Sequence, residues 1–184
     1  QEADPYQRFL AIVGPSGSGK SSVARAGLLP ALVKNAIAGS DHWFCIDMIP
    51  GDSPFDALET ALIRIAADQA MNLHDQISRD ERGLVRAADL ILPKDKSELL
   101  LLIDQFEEVF TLVTDEGKRQ RFLDLLLATV TAPHSRVRIV VTLRADFYDR
   151  PLHYPKFGEI LRTRMETILP LTAQGIERAI VGPV

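Results

Sequence analysis

Cysteine, tryptophan and tyrosine are scarce in this sequence, which has 184 residues with one cysteine, one tryptophan and three tyrosines. The single cysteine, Cys45, excludes an internal disulfide and suits a reducing compartment. Long apolar runs are also missing, because the run at residues 99–103 falls far short of the roughly 20 residues of a membrane helix. The polar, acidic start has no signal-peptide pattern. We therefore expect a cytoplasmic protein that does not enter a membrane.

A surplus of basic residues is absent as well. Lysine and arginine number 21 against 25 aspartates and glutamates, which gives a net charge of −4. Proteins that bind nucleic acid generally carry a basic surplus, so the composition argues against that class. A hydrophobic content of 46% is typical of a globular protein with a buried core. The length suits one domain or one large α/β unit.

Short apolar runs alternate with helical patterns along the chain. Strands are predicted at residues 9–13, 43–49, 99–103, 137–143 and 165–169. Helices are predicted at 21–29 (ended by Pro30), after a cap at Ser53, weakly at 79–92, at 122–130, and at 172–181 after a cap at Thr172. This alternation predicts an α/β fold of three layers, with a mainly parallel five-stranded sheet and helices on both faces.

The stretch IVGPSGSGKSS at residues 12–22 carries a phosphate-binding pattern, because residues 14–21 match G-x-x-x-x-G-K-[ST] in full. Glycines let the backbone turn its N–H groups toward an anion, and the following helix adds the positive end of its dipole. Lys20 would face the β- and γ-phosphates, and Ser21 would ligate Mg²⁺. The alternative is a glycine-rich turn that binds nothing. The predicted nucleotide-binding residues are Gly14, Pro15, Ser16, Gly17, Ser18, Gly19, Lys20, Ser21 and Ser22.

A second candidate group lies in LLLLIDQFEEVF, where an apolar strand delivers Asp104 at its carboxyl end. Open α/β sheets bind ligands at that edge, and an aspartate there would hold magnesium through water. Glu107 or Glu108 would orient or deprotonate the attacking water. The spacing favours neither, because positions three and four later both return to the same side of a helical bend. Alternatively, the pair only opens a helix, where acidic groups suit the dipole.

A third candidate group lies in RIVVTLRADFYDR, where Thr142 and Arg144 end the fourth predicted strand. A polar or cationic side chain there would sense whether the terminal phosphate is present. The competing interpretation is an ion pair from Arg144 to Asp104, Asp146 or Asp149.

The histidines and the tryptophan give weaker signals. We expect Trp43 to be a packing residue. No metal-ligand spacing links the histidines, which are His42, His74, His134 and His153.

Four strings, taken in order, resemble the novel STAND ATPases of bacteria. They are VGPSGSGKSSVARAGLLPAL, MIPGDSPFDALETAL, LLLLIDQFEEVFT and VVTLRADFYDR, and LPLTAQGIERAIVGP resembles the segment just after the family's core. The resemblance covers most of the chain from Phe9 onward. It implies a P-loop NTPase fold related to the AAA+ and NACHT classes. The domain plan it implies is a tail at 1–8, a core at 9–170, and the start of a helical segment at 171–184.

The resemblance also implies roles for single residues. Lys20 and Ser21 match the phosphate and metal positions of the Walker A motif, and Asp104 matches the Walker B position. Glu107 matches the acidic residue that serves as base in NACHT-like relatives. Arg144 matches the sensor arginine of the TLR string.

As a function, the resemblance implies a slow ATPase of signal transduction, ADP-bound at rest and ATP-bound when active. ATP, ADP and Mg²⁺ are the expected ligands. In relatives the module commonly lies between an effector domain and a sensor array, often of WD40 repeats, and it assembles into an ATP-dependent oligomer.

Two departures from the family pattern suggest an excised core. Relatives usually carry an upstream GRE-like string that helps hold adenine, whereas QEADPYQR precedes the first strand here, and the sequence ends before the usual winged-helix module. Two rival functions stay open. GPSGSGKSS also resembles the guanylate kinase loop, which would make the chain a small-molecule kinase, and a scaffold could bind nucleotide without hydrolysis. An ABC transporter ATPase is disfavoured, because no LSGGQ-like string occurs.

Overall fold

A single parallel sheet organises the computed structural model, which describes residues 5–66 and 72–169. Its strands are β1 (Phe9–Gly14), β2 (Phe44–Met48), β3 (Leu99–Ile103), β4 (Val137–Arg144) and β5 (Met165–Thr167). They lie in the order β2-β3-β4-β1-β5, and every neighbouring pair is parallel. The predicted five-stranded parallel sheet is confirmed, with strand ends that differ from the predicted ones by up to two residues.

Successive side chains of β3 reach opposite faces of the sheet. Leu99, Leu101 and Ile103 join the larger apolar cluster, whereas Leu100 and Leu102 join a smaller one. All five are buried. This is expected of a central parallel strand covered on both faces. The two clusters confirm the three-layer α/β architecture.

Nine α-helices surround the sheet within the described ranges. They are α1 (Lys20–Ser22), α2 (Leu29–Val33), α3 (Pro54–Ile63), α4 (Leu73–Arg79), α5 (Gly83–Ile91), α6 (Glu108–Thr111), α7 (Glu116–Thr131), α8 (Asp149–Leu152) and α9 (Pro155–Thr163). Side chains of α3, α4, α5, α7 and α9 fill the larger cluster. The segment from α1 to α2 supplies Ala24 and Leu32 to the smaller one.

The helix after the glycine-rich loop corrects one prediction. A π-helical stretch, Val23–Leu28, joins α1 to α2, so the helix passes Pro30 instead of ending there. The Leu29 N–H bonds the carbonyl of Ala24, five residues back. This wider turn places Pro30 in the first turn of α2, where proline is tolerated.

The other predicted helices agree with the observed ones to different degrees. Ser53 occupies the cap position of α3 without a side-chain bond to the backbone; its hydroxyl bonds the Asp56 carboxylate. The helix predicted at 79–92 is α5 alone, and α4 was not predicted. α7 begins at Glu116, earlier than the predicted start at residue 122. The Asp115 side chain caps it by accepting a hydrogen bond from the Lys118 N–H at 3.0 Å. The helix predicted at 172–181 lies outside the described residues.

Within the described residues, no helix combines the length and the apolar character needed to cross a bilayer.

Candidate nucleotide-binding site

The glycine-rich loop (residues 14–21) joins β1 to α1 at the carboxyl edge of the sheet. Gly17 and Gly19 have φ angles of 74° and 87°, a region that favours glycine. At Gly14 a Cβ would lie 2.5 Å from the Ile168 carbonyl oxygen and 2.7 Å from the Ser18 Oγ. The shape of the loop therefore favours glycine at both glycine positions of the pattern, Gly14 and Gly19, and also at Gly17, which occupies a variable position.

Lys20 lies folded over this loop and is only 8% exposed. Its Nζ donates to the carbonyl oxygens of Gly14 at 2.9 Å and Pro15 at 2.7 Å. An ammonium group has three donors, so these bonds leave one for an anion. The buried Ser18 hydroxyl has no hydrogen-bond partner within the described residues. A buried polar atom of this kind normally has a partner, and a phosphate oxygen would supply one.

The Asp104 carboxylate contacts side chains of two segments that are distant in sequence, and the residue is 3% exposed. Its Oδ1 accepts hydrogen bonds from the Ser21 Oγ at 2.7 Å, the Thr142 Oγ1 at 2.6 Å and the Gln105 N–H at 3.1 Å. The two predicted metal positions, Ser21 and Asp104, are thus in direct contact. Hydroxyl and carboxylate oxygens are hard ligands that fit Mg²⁺.

Glu107 and Glu108 point to different partners. The Arg144 N–H donates to the Glu107 Oε2 at 3.3 Å, so this carboxylate lies at the end of β4. The Gly51 N–H donates to the Glu108 Oε2 at 3.0 Å, so the second carboxylate holds the loop after β2. Gln105, which precedes both glutamates, has a φ of 55° where the chain leaves β3.

Arg144 ends β4 as predicted, but its guanidinium is held by a neighbouring carboxylate. Its Nε and Nη2 lie 3.1 and 2.6 Å from the two carboxylate oxygens of Asp146. This hydrogen bonding raises the pKa of the Arg144 guanidinium and lowers the pKa of the Asp146 carboxyl, to which the charge of Lys20 also contributes. Of the three predicted ion-pair partners, the structure shows Asp146. A contact from Arg144 to phosphate stays a prediction.

Arg25 is a site residue that the sequence analysis missed. From the π-helical stretch, its Nη2 reaches the Asp104 Oδ2 at 3.3 Å and the Asp47 Oδ2 at 3.1 Å. Arg64 also pairs with Asp47, at 3.2 Å. An aspartate inside the otherwise apolar strand FCIDM was the available signal, because a charge there needs a partner.

A separate cluster joins α3 to α4. Asp56, Glu59 and His74 bring ligand atoms within 4.8 Å of one another. The His74 Nδ1 lies 3.4 Å from Asp56 and 3.2 Å from Glu59. Spacing among the histidines alone did not reveal it, because its carboxylates belong to another helix. Lys118 bonds the Ser53 hydroxyl that contacts Asp56, so a positive charge already lies beside this cluster.

Comparison with protein families decides the assignment. The model described as Novel STAND NTPase 1 matches residues 2–184. The chain belongs to this family. The novel STAND resemblance seen in the sequence strings is thereby confirmed. No curated protein matches this STAND NTPase chain.

Solved structures with a similar fold include two from archaea. Cdc6p from Pyrobaculum aerophilum has a TM-score of 0.54 and 14% identity, covering 94% of this chain and 42% of its own. The Aeropyrum pernix ORC2 protein, described in ADPNP-ADP complexes, has a TM-score of 0.54 and 13% identity, covering 94% and 44%. The cytoplasmic domain of the Thermomonospora curvata Type VII secretion ATPase EccC has a TM-score of 0.47 and 16% identity, covering 87% and 19%. The STAND NTPase chain spans less than half of each of these chains, and the first two likenesses establish a shared P-loop ATPase fold.

Proposed function

We propose that this STAND NTPase chain binds ATP or ADP with Mg²⁺ and acts as a slowly hydrolysing regulatory switch. The observation that carries the proposal is the Asp104 carboxylate, which bonds Ser21 and Thr142 beside the glycine-rich loop. Because Lys20 lies over the same loop, a site for anionic phosphates adjoins one for a divalent cation.

Nucleotide would bind along the loop and the start of α1. Loop N–H groups, the Ser18 hydroxyl and the remaining Lys20 donor are suited to phosphate oxygens. Ser21 and Asp104 would hold Mg²⁺, which when bound neutralises phosphate charge. The proposed nucleotide-binding residues are Gly14, Pro15, Ser16, Gly17, Ser18, Gly19, Lys20, Ser21 and Ser22.

Glu107 is the proposed general base for hydrolysis. Its carboxylate lies at the end of β4, on the edge where Asp104 and the loop meet. Glu108 instead accepts the Gly51 N–H, which gives it a structural task. A base must reach the water that it activates. Each carboxylate accepts one backbone N–H, but the one bonded to Glu107 comes from the end of β4 and the one bonded to Glu108 from the loop after β2.

Arg144 is the proposed sensor of the γ-phosphate. Its bidentate bond to Asp146 shows that the guanidinium can match a planar anion at this edge. Phosphate would compete with Asp146 for the same donors. Because the ion pair keeps Arg144 bonded to Asp146, it also favours the second candidate function, a scaffold that binds nucleotide without hydrolysis.

The wider switch is proposed from the family resemblance. The chain would be ADP-bound at rest and ATP-bound when active, in the manner of AAA+ and NACHT-like modules in cytoplasmic signal transduction. The proposed plan is a tail at 1–8, the core at 9–170 and a following helical segment at 171–184. Effector domains, WD40-type sensors and an ATP-dependent oligomer are the proposed partners.

The test is nucleotide binding by calorimetry, with Lys20→Ala as the decisive variant. A charge-assisted contact contributes roughly 1.5–3 kcal/mol, so affinity should fall about ten- to hundredfold. Lys34→Ala, at an exposed lysine beyond α2, is the matched control and should bind like the wild type. Unchanged affinity in Lys20→Ala would refute the binding site.

Phosphate release measured with and without a nucleoside monophosphate then separates ATPase from kinase, and tight binding without release identifies the scaffold.

A further inference from the structure

Arg25 contacts the carboxylate oxygen of Asp104 to which neither hydroxyl group donates. Ser21 and Thr142 both donate to Oδ1, whereas Arg25 contacts Oδ2 at 3.3 Å. Asp104 is almost fully buried, and a buried carboxylate needs a compensating charge. In this structure, Arg25 provides that charge.

Arg25 also has a second carboxylate within reach. Its Nη2 lies 3.1 Å from the Asp47 Oδ2, while the other Asp47 oxygen faces Arg64 at 3.2 Å. The residues form an alternating chain, Asp104–Arg25–Asp47–Arg64. Asp47 is on β2 and Asp104 follows β3, which are adjacent parallel strands. Both carboxylates therefore lie at the same edge of the sheet, and both contact the same nitrogen of Arg25, Nη2.

We propose that Arg25 is a positioning residue that competes with Mg²⁺ for the charge of Asp104, and that Asp47 retains Arg25 when the metal binds. The inference rests on the proposed function, since it takes Asp104 as a metal-holding residue. A guanidinium and a divalent cation beside one carboxylate repel each other. Arg25 thus holds Asp104 in place without metal and weakens the metal complex that follows.

Two substitutions should then change Mg²⁺ affinity in opposite directions. Arg25→Met removes the competing charge and keeps most of the side-chain volume, so Mg²⁺ should bind about tenfold more tightly. Asp47→Asn removes the alternative partner of Arg25, so the guanidinium stays on Asp104 and Mg²⁺ should bind about threefold more weakly.

The measurement is a Mg²⁺ titration of protein saturated with the fluorescent analogue MANT-ADP, starting in EDTA. The midpoint of the fluorescence change reports metal affinity without requiring turnover. Arg64→Met is the matched control, because Arg64 pairs with Asp47 but the structure shows no contact from it to Asp104 among the described residues. Its midpoint should stay within about twofold of the wild type.

A double variant distinguishes this role from a general charge effect. If Asp47 acts through Arg25, Asp47→Asn should have little effect on the Mg²⁺ midpoint in the Arg25→Met background. If Arg25→Met does not fold, Asp47→Asn carries the test, and its midpoint must rise. A wild-type chain that does not bind MANT-ADP overturns the proposed function and this inference with it. Normal MANT-ADP binding with an unchanged or weakened Mg²⁺ midpoint in Arg25→Met overturns the inference alone.

Discussion

The two edges of the sheet use charge in different ways. At the amino edge, a cavity of about 590 Å³ is lined by Trp43, Glu98 and Arg138, among others. Arg138 lies 4.6 Å from the centroid of the Trp43 ring and pairs with Glu98, and both charged side chains are partly exposed. At the carboxyl edge, Lys20 and Asp104 are almost completely buried.

The two edges differ in how their charges are compensated. A partly exposed ion pair contributes only about 0–1 kcal/mol, and it satisfies its own charges. Buried charges are costly, so several bonds must hold each one in position. At the carboxyl edge, Asp104 is buried with several hydrogen bonds, and the buried Ser18 hydroxyl of the nearby loop has no partner among the described residues. The proposed nucleotide site would use both features.

The largest expected effect at the carboxyl edge is on hydrolysis. Glu107→Gln should lower ATP turnover by about 10²–10⁴-fold with ATP binding nearly intact, because a general base contributes about that factor. Glu108→Gln should do much less, since its carboxylate contacts the loop after β2 and not the end of β4. Single-turnover phosphate release is the measurement, with calorimetry for binding. Abolished release in Glu108→Gln with normal release in Glu107→Gln would exchange the two roles.

A smaller effect is expected on the preference for ATP over ADP. Arg144→Ala should weaken ATP more than ADP by roughly 1–3 kcal/mol, because only the triphosphate offers a γ-phosphate. Asp146→Asn removes the competing carboxylate and should strengthen the preference for ATP. Equal losses for both nucleotides in Arg144→Ala would support a purely structural ion pair. Competition titrations with labelled nucleotide measure both affinities.

The ion pair also predicts how this preference depends on pH. The hydrogen bonds from Arg144 lower the pKa of Asp146 below its ordinary value of about 3.9. The carboxylate is therefore charged at every pH above that ordinary value. The pair is therefore complete above that value and is lost only as pH falls through the lowered pKa of the folded state. The ratio of ATP to ADP affinity should show no contribution from Asp146 between about pH 5 and 8. A change of that ratio with pH that disappears in Asp146→Asn would contradict this prediction.

The smallest effect is expected at the amino edge. Glu98→Gln breaks the partly exposed pair with Arg138, so the free energy of unfolding should change by about 0–1 kcal/mol. Nucleotide affinity should stay within about twofold, because the cavity and the loop lie at opposite ends of the strands. Thermal unfolding and calorimetry check both. A tenfold loss of nucleotide affinity would show that the two edges are functionally connected.

The strands were predictable from local composition. Buried parallel strands are continuous apolar runs, and the β3 stretch LLLLI was predicted with its observed bounds. α4 escaped prediction because it is short and buries only Leu73 and Ile77, too few residues for a clear helical period. The continuation of the helix past Pro30 depends on a π-helical turn, for which no sequence pattern was recognisable.

Within the candidate site, residue types were predictable and their pairings were not. Gly19 is a fixed glycine of the loop pattern, whereas Gly17 occupies a variable position; both have positive φ angles, which few other residues accept. The partners of Glu107 and Glu108 are the N–H groups of Arg144 and Gly51, which lie in remote segments that the i+3 and i+4 spacing rule does not place. Arg25 was missed because its partner Asp104 is far away in sequence.

The sequence by itself determined the glycine-rich loop, the apolar strands and the acidic residue that follows β3, since each depends on neighbours along the chain. Tertiary structure alone decided that β4 lies between β1 and β3. That order brings Thr142 and Ser21 to one carboxylate, across separations of 38 and 83 residues from Asp104. Hydrogen bonds of this kind require side-chain atoms within about 3 Å, and only strand order and register set such distances between remote segments.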